Sequence, residues 1–131
     1  MCAIDDCDER VNVVQTADRI ARKEHRCSEC YRQIVKGEKY HYEFGTLEGD
    51  AVTYRTCPHC MVAREWLHKN CGGWIYQGVI EEICEHADEY PDLAEPLKLI
   101  VSGANARWKS IGGDLMPIPD MPPAISVHER H

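Results

Sequence analysis

Apolar and polar positions change their spacing several times along this chain. Lys39-Tyr40-His41-Tyr42-Glu43-Phe44 alternates, which puts Tyr40, Tyr42 and Phe44 on one face of a strand. Lys36-Gly37-Glu38 before it and Gly45 to Asp50 after it read as turns, and Ala51-Val52-Thr53-Tyr54-Arg55 reads as a returning strand. From Pro58 the pattern turns helical through Met61 to Leu67, and Cys71-Gly72-Gly73 supplies a left-handed stop. Val79, Ile80, Ile83, Ala87 and Tyr90 mark one stripe of a second helix that Pro91 ends. A third helix is expected from Pro96 to about Ile111, with Leu97, Ile100, Val101, Ala104, Trp108 and Ile111 on its apolar face and Gly112-Gly113 closing it. Trp66 and Trp108 are expected in the core, and Trp74 as an anchor of the turn against the second helix. Towards the N-terminus, Val11 to Val14 suggests a short strand, and Thr16 a cap for a helical turn through Ile20. Pro117–His131 has no periodicity and reads as an extended or disordered tail.

Cysteine spacing changes this picture most. Cys27-Ser28-Glu29-Cys30 and Cys57-Pro58-His59-Cys60 are two CxxC pairs with 26 residues between them, the length of a hairpin. Each pair can wrap one edge of a metal tetrahedron, with sulfurs roughly 2.3 Å from zinc. Four thiolates and no open position describe a structural site. Zinc is favoured over iron because nothing in the chain suggests electron transfer. The second pair begins a helix, so the positive end of the helix dipole points at its thiolates. Knuckle, hairpin and a helix carrying the last two ligands form the arrangement called a treble clef. The small α+β chain then divides into an N-terminal segment (1–24), a zinc-binding treble-clef finger (25–73), a two-helix extension (74–115) and a Pro-rich tail (116–131).

Eight cysteines also permit a disulfide scaffold. The N-terminal residues show no basic and apolar leader, and no apolar stretch approaches a membrane span, so a cytoplasmic setting is expected, where paired cysteines hold metal. A second metal site drawing on Cys2, Cys7 and Cys71, with His68 or His86, stays open. Cys84 reads as a small hydrophobe beside Ile80 and Ile83. Cys71 cannot share the first ion, because it lies 14 residues past Cys57, roughly 20 Å along a helix. His25 and His59 read as solvent-facing neighbours of the ligands.

Charge is distributed unevenly. The net charge is −7, which disfavours a generally basic nucleic-acid binder. Between Lys69 and Lys98 there is no Lys or Arg, while Glu81, Glu82, Glu85, Asp88, Glu89, Asp92 and Glu95 fall in that gap. Residues 19–39 lean basic, with Arg22, Lys23 and Arg26 next to the first cysteine pair. Two surfaces for a partner follow: Arg22, Lys23 and Arg26 on one side, and Glu81, Glu82 and Glu85 on the other.

The run Ala21 to Cys30, then Ile34 with Gly37-Glu38-Lys39-Tyr40, then Thr56 to Cys60, resembles a family of small bacteriophage and prophage zinc-finger proteins. Trp66-Leu67, Cys71-Gly72-Gly73 and Glu81-Glu82-Ile83 with Glu85-His86 extend the likeness over roughly residues 20 to 90. The resemblance implies a phage accessory protein working in the host cytoplasm and supplies no activity. The expected function is a zinc-stabilised binding module for a host protein, with nucleic acid as the alternative partner. Two enzymatic readings stand beside it. A treble-clef nuclease would use His41 as base but needs further helix histidines, of which only His68 is present. A thiol oxidoreductase would use Cys57-Pro58-His59-Cys60 but needs a βαβ frame.

Overall fold

A computed structural model describes residues 11–125. Five strands and three helices run in the order β1 (Asn12–Ile20), β2 (His25–Arg26), β3 (Gln33–Ile34), β4 (Lys39–Leu47), β5 (Asp50–Thr56), α1 (Pro58–Cys71), α2 (Val79–Glu89) and α3 (Ala94–Asn105), with a 3₁₀ turn at Pro91–Leu93 before α3. The main sheet is antiparallel with order β1-β4-β5, and β2 and β3 form a small ribbon beneath the first cysteine pair.

The hairpin of β4 and β5 closes on a two-residue turn, Glu48-Gly49, with Leu47 opposite Asp50. Both turn residues have positive φ, the twist that suits adjacent antiparallel strands. Both strands therefore run further than the alternation alone suggests. Tyr40 is buried and Tyr42 packs against the core, as expected of that face. The opposite face is also covered: Glu43 is buried against α1, where Arg64 clasps its carboxylate with both terminal nitrogens and Tyr76 donates to it at 2.6 Å. Burial pushes the Glu43 carboxyl up, and the Arg64 and Tyr76 donors outweigh it, so it ends below its ordinary value.

The helical turn expected at Thr16–Ile20 is wrong, since that segment continues the strand. β1 buries none of its residues and owes its conformation to β4, with which it pairs along almost its whole length. Polar cross-strand contacts hold it: Asp18 and Thr16 bond the two ring nitrogens of His41 at 2.9 and 3.0 Å, and Arg19 lies over the Tyr42 ring at 3.7 Å. β1 falls within residues 1–24, so the sheet spans the boundary drawn at residue 25.

α1 begins at Pro58 behind the extended Cys57 and ends at Gly72, whose φ of 80° closes the last turn. α2 buries Val79, Ile83 and Ala87 of the expected stripe, Ile80 is partly buried, and Tyr90, buried too, caps the helix. α3 is shorter than expected. It stops at Asn105, Arg107 and Trp108 turn left-handed, and the Trp108 N–H bonds the Gly103 carbonyl at 2.7 Å. This reversal lays the indole flat on Gly103, where a Cβ would come within 2.3 Å of the ring. Ile111 lies beyond the helix and is fully exposed. Trp74 anchors its turn chiefly on α1, with Arg64 stacked over it at 3.9 Å and His68 edge-on.

The tail is extended through residue 125 and packed. Trp66 donates its indole N–H to the Pro123 carbonyl at 2.8 Å, the Ile125 N–H bonds Asn70 at 2.9 Å, and Ile125 is buried. Residues 126–131 lie outside the described residues.

Two substitutions test this packing. Gly103→Ala should lower unfolding stability by about 1–3 kcal/mol in denaturant titration, because the added carbon overpacks the indole. Glu43→Ala should cost about 3–5 kcal/mol by leaving Arg64 buried and uncompensated. A midpoint unchanged in either variant would remove the corresponding contact.

Candidate metal centre

The two cysteine pairs converge. The sulfurs of Cys27, Cys30, Cys57 and Cys60 all lie within 4.8 Å of one another and all four residues are buried. Cys30 and Cys57 are 3.9 Å apart between sulfurs. A tetrahedron with bonds of about 2.3 Å has edges of about 3.8 Å, so the spacing fits zinc. Among the described residues this is the one cluster of three or more such donors.

Local chain geometry explains the convergence. The knuckle turns at Tyr31, whose φ is 65°, and its N–H returns to the Cys27 carbonyl at 3.0 Å. Ser28 fixes the knuckle to β5 twice: its N–H bonds the Arg55 carbonyl at 2.7 Å and its hydroxyl accepts the Arg55 N–H at 3.0 Å. The second pair rides on the start of α1, so Cys57 sits before the first turn and Cys60 within it.

Donors surround the sulfurs. The N–H groups of Glu29 and Cys57 both point at the Cys27 sulfur at 3.4 Å, and the Trp108 indole N–H points at the Cys60 sulfur at 3.5 Å. Such contacts disperse thiolate charge and hold ligands in place. Left to themselves, the four sulfurs do not ionise alike: Cys27 and Cys30 are held below the ordinary thiol value, and Cys57 and Cys60 above it. Cys27 is pulled far down by S–H donors from Cys30, Cys57 and Cys60, while the proton each gives to Cys27 pushes Cys57 and Cys60 up. Only a bound cation makes four thiolates compatible in one buried volume.

Residues outside the CxxC pairs complete the surroundings, and three were not legible as such. Arg32 is buried, is paired with Glu38 and is drawn towards the Cys57 sulfur, so it is an internal cation beside the cluster and not part of a solvated basic rim. His59 is also buried, contrary to the solvent-facing expectation: its Nε2–H donates to the Met116 carbonyl at 2.6 Å and Nδ1 faces Arg32 at 3.4 Å. Glu29 accepts the N–H groups of Gln77 at 2.8 Å and Val79 at 3.2 Å, tying the knuckle to the start of α2, and burial lifts its carboxyl to about 7. A buried acid inside a CxxC is invisible to spacing rules, because its partners are 48 and 50 residues away.

The remaining expected residues are dispersed. Glu82 is buried on α2, so it cannot belong to an acidic docking face, whereas Glu81 and Glu85 are exposed. Cys84 is exposed rather than packed among Ile80 and Ile83. Arg22 and Lys23 are exposed, and Arg26 turns its guanidinium to the Tyr31 carbonyl at 2.7 Å. Both ring nitrogens of His41 are engaged by β1, as described above. His25 is half-buried on the Tyr40 ring.

No protein family, curated protein or solved structure matches the chain. No helix among the described residues is long and apolar enough to cross a membrane.

Metal analysis of the purified chain should find at least one zinc, and a strong chelator should melt the fold. Cys60→Ser should lose metal and thermal stability together. Retention of both by that variant would exclude the four-sulfur centre.

Proposed function

We propose that the chain is a zinc-stabilised binding module of the treble-clef type whose recognition face is a basic cleft beside the metal knuckle. One observation carries this reading. Arg19, Arg22, Lys23 and Arg55, with His25 and Tyr40, line a surface cleft of about 680 Å³, and among the described residues none in its wall is acidic. The Nε–H of Arg55 is buried there with no acceptor among the described residues, an orphan donor suited to an anion. Neighbouring cations also depress the His25 imidazole, after burial itself.

The metal and the cleft are mechanically joined. Ser28, inside the first CxxC, grips both backbone groups of Arg55, so the ion that fixes the knuckle also fixes one wall of the cleft. The zinc acts as a structural clamp, and the chemistry of recognition is electrostatic.

The partner that suits this cleft is a protein presenting a short acidic segment. Four cations in one compact volume match a few carboxylates. The exposed Glu81, Glu85, Asp88 and Glu89 of α2, within a chain of net charge −7, repel an extended polyanion. The phage resemblance makes that partner a host protein and the setting the host cytoplasm. Nucleic acid is the second reading, favoured by the Arg19 guanidinium stacked on Tyr42 in the same region.

Titration with an acidic peptide and, separately, with single-stranded DNA distinguishes the two. The double variant Arg22→Glu with Lys23→Glu should weaken the peptide by about tenfold or more, about 1.4 kcal/mol. Tight DNA retention that falls steeply with salt would favour the second reading. Indifference of both ligands to the double variant would remove the cleft as a binding face.

A further inference from the structure

The four cations of the cleft beside the knuckle come from separate elements. Arg19 lies near the end of β1, Arg22 and Lys23 follow in the loop, and Arg55 stands on β5. Strand register puts two of them on one face. Tyr42 on β4 pairs directly with Arg55, and Tyr40 with Arg19. Residues directly opposite share a face, and so do Tyr40 and Tyr42, two apart on one strand. Both guanidiniums accordingly meet a single ring. Arg19 lies 3.7 Å and Arg55 5.8 Å from the centre of Tyr42. Stacking uses the flat face of the Arg19 guanidinium and leaves its in-plane N–H donors for another partner.

The carboxylates closest in sequence are engaged elsewhere. Asp18 bonds His41 at 2.9 Å, Glu24 takes the side-chain amide of Gln33, and Glu38 takes Arg32. Among the described residues, none of the four cations is ion-paired. The Nε–H of Arg55 has no acceptor among them either. Guanidinium N–H groups form a fork that takes two oxygens of an oxyanion. Ser28 holds the backbone of Arg55, which fixes where one such fork stands.

We propose, on the peptide-binding reading of this cleft, that it takes a phosphate monoester dianion carried by a phosphorylated side chain of the partner segment. A monoester phosphate brings close to two negative charges and three acceptor oxygens. A carboxylate brings one charge and two oxygens. Three guanidiniums can serve all three phosphate oxygens, and the Lys23 ammonium adds charge at the rim. A phosphodiester has one charge and two free oxygens, so a nucleic-acid backbone fills the donor set less completely.

Calorimetric titration of the full, zinc-loaded chain with a short alanine–glycine peptide carrying one phosphoserine tests this. That peptide should bind at least about tenfold tighter than the same peptide with two glutamates in place of the phosphoserine. Arg55→Lys keeps the charge and loses the fork. It should weaken the phosphopeptide about tenfold and leave the diglutamate peptide within about twofold. Arg22→Lys, on the exposed loop, should do the same without touching the sheet. Equal affinity of the two peptides would overturn the dianion site and leave the acidic-segment reading standing. Failure of both to bind would overturn that reading as well. Inorganic phosphate binding more tightly than the phosphopeptide would put the dianion on a free small molecule and overturn a peptide source. Single-stranded DNA that displaces the phosphopeptide at equal phosphate concentration would overturn the preference for a monoester.

Discussion

Mutual repulsion among four buried sulfurs is the constraint on which this fold depends. Thiolates at Cys27, Cys30, Cys57 and Cys60 would place four negative charges within 4.8 Å in a volume closed to water. A dication halves that charge, and the protein disperses the rest. Two backbone N–H groups, an indole N–H and the guanidinium of Arg32 all face the cluster from different parts of the chain. The centre therefore draws in β2, β3, α1 and the loop after α3. A domain of this size has little core to spare, and an ion held by the four cysteines would add stability that apolar area alone does not supply.

From the knuckle, order passes outward by two routes. Ser28 carries it to β5 and hence to the sheet, while Glu29 carries it to the first residues of α2. Adjacent residues of one CxxC thus position both the basic cleft and the helical extension. Metal binding at the knuckle and the shape of the basic cleft would in this way be parts of one equilibrium.

Much of this was legible in the sequence, for definite reasons. The double CxxC, the alternation from Lys39, Pro58 at a helix start and Gly72 at its end are all local rules with strong signals. What escaped was set by partners far along the chain. β1 was legible only at its start, in Val11 to Val14, and from Thr16 on it is a strand because β4 lies beside it. The end of α3 is decided by what the Trp108 ring gains on Gly103 and Cys60, which no helical periodicity encodes. Buried charge was the other blind spot. Arg32, Glu29, His59 and Glu82 look like surface residues by type, and each is covered because the fold brings a polar neighbour or a core face to it. That error also misassigned Glu82 to a docking surface.

The contact of the Trp108 indole with the Cys60 sulfur has an optical consequence. A fluorophore that donates its N–H to a metal ligand sits in the electric field of the ion and within quenching range of any thiolate left when the ion departs. The chain would thereby carry its own reporter of occupancy at the four-cysteine centre, sensitive to the identity of the metal as well as to its presence. Trp66 gives its indole N–H to the Pro123 carbonyl instead of a sulfur, and would form a steadier background against which that signal is read.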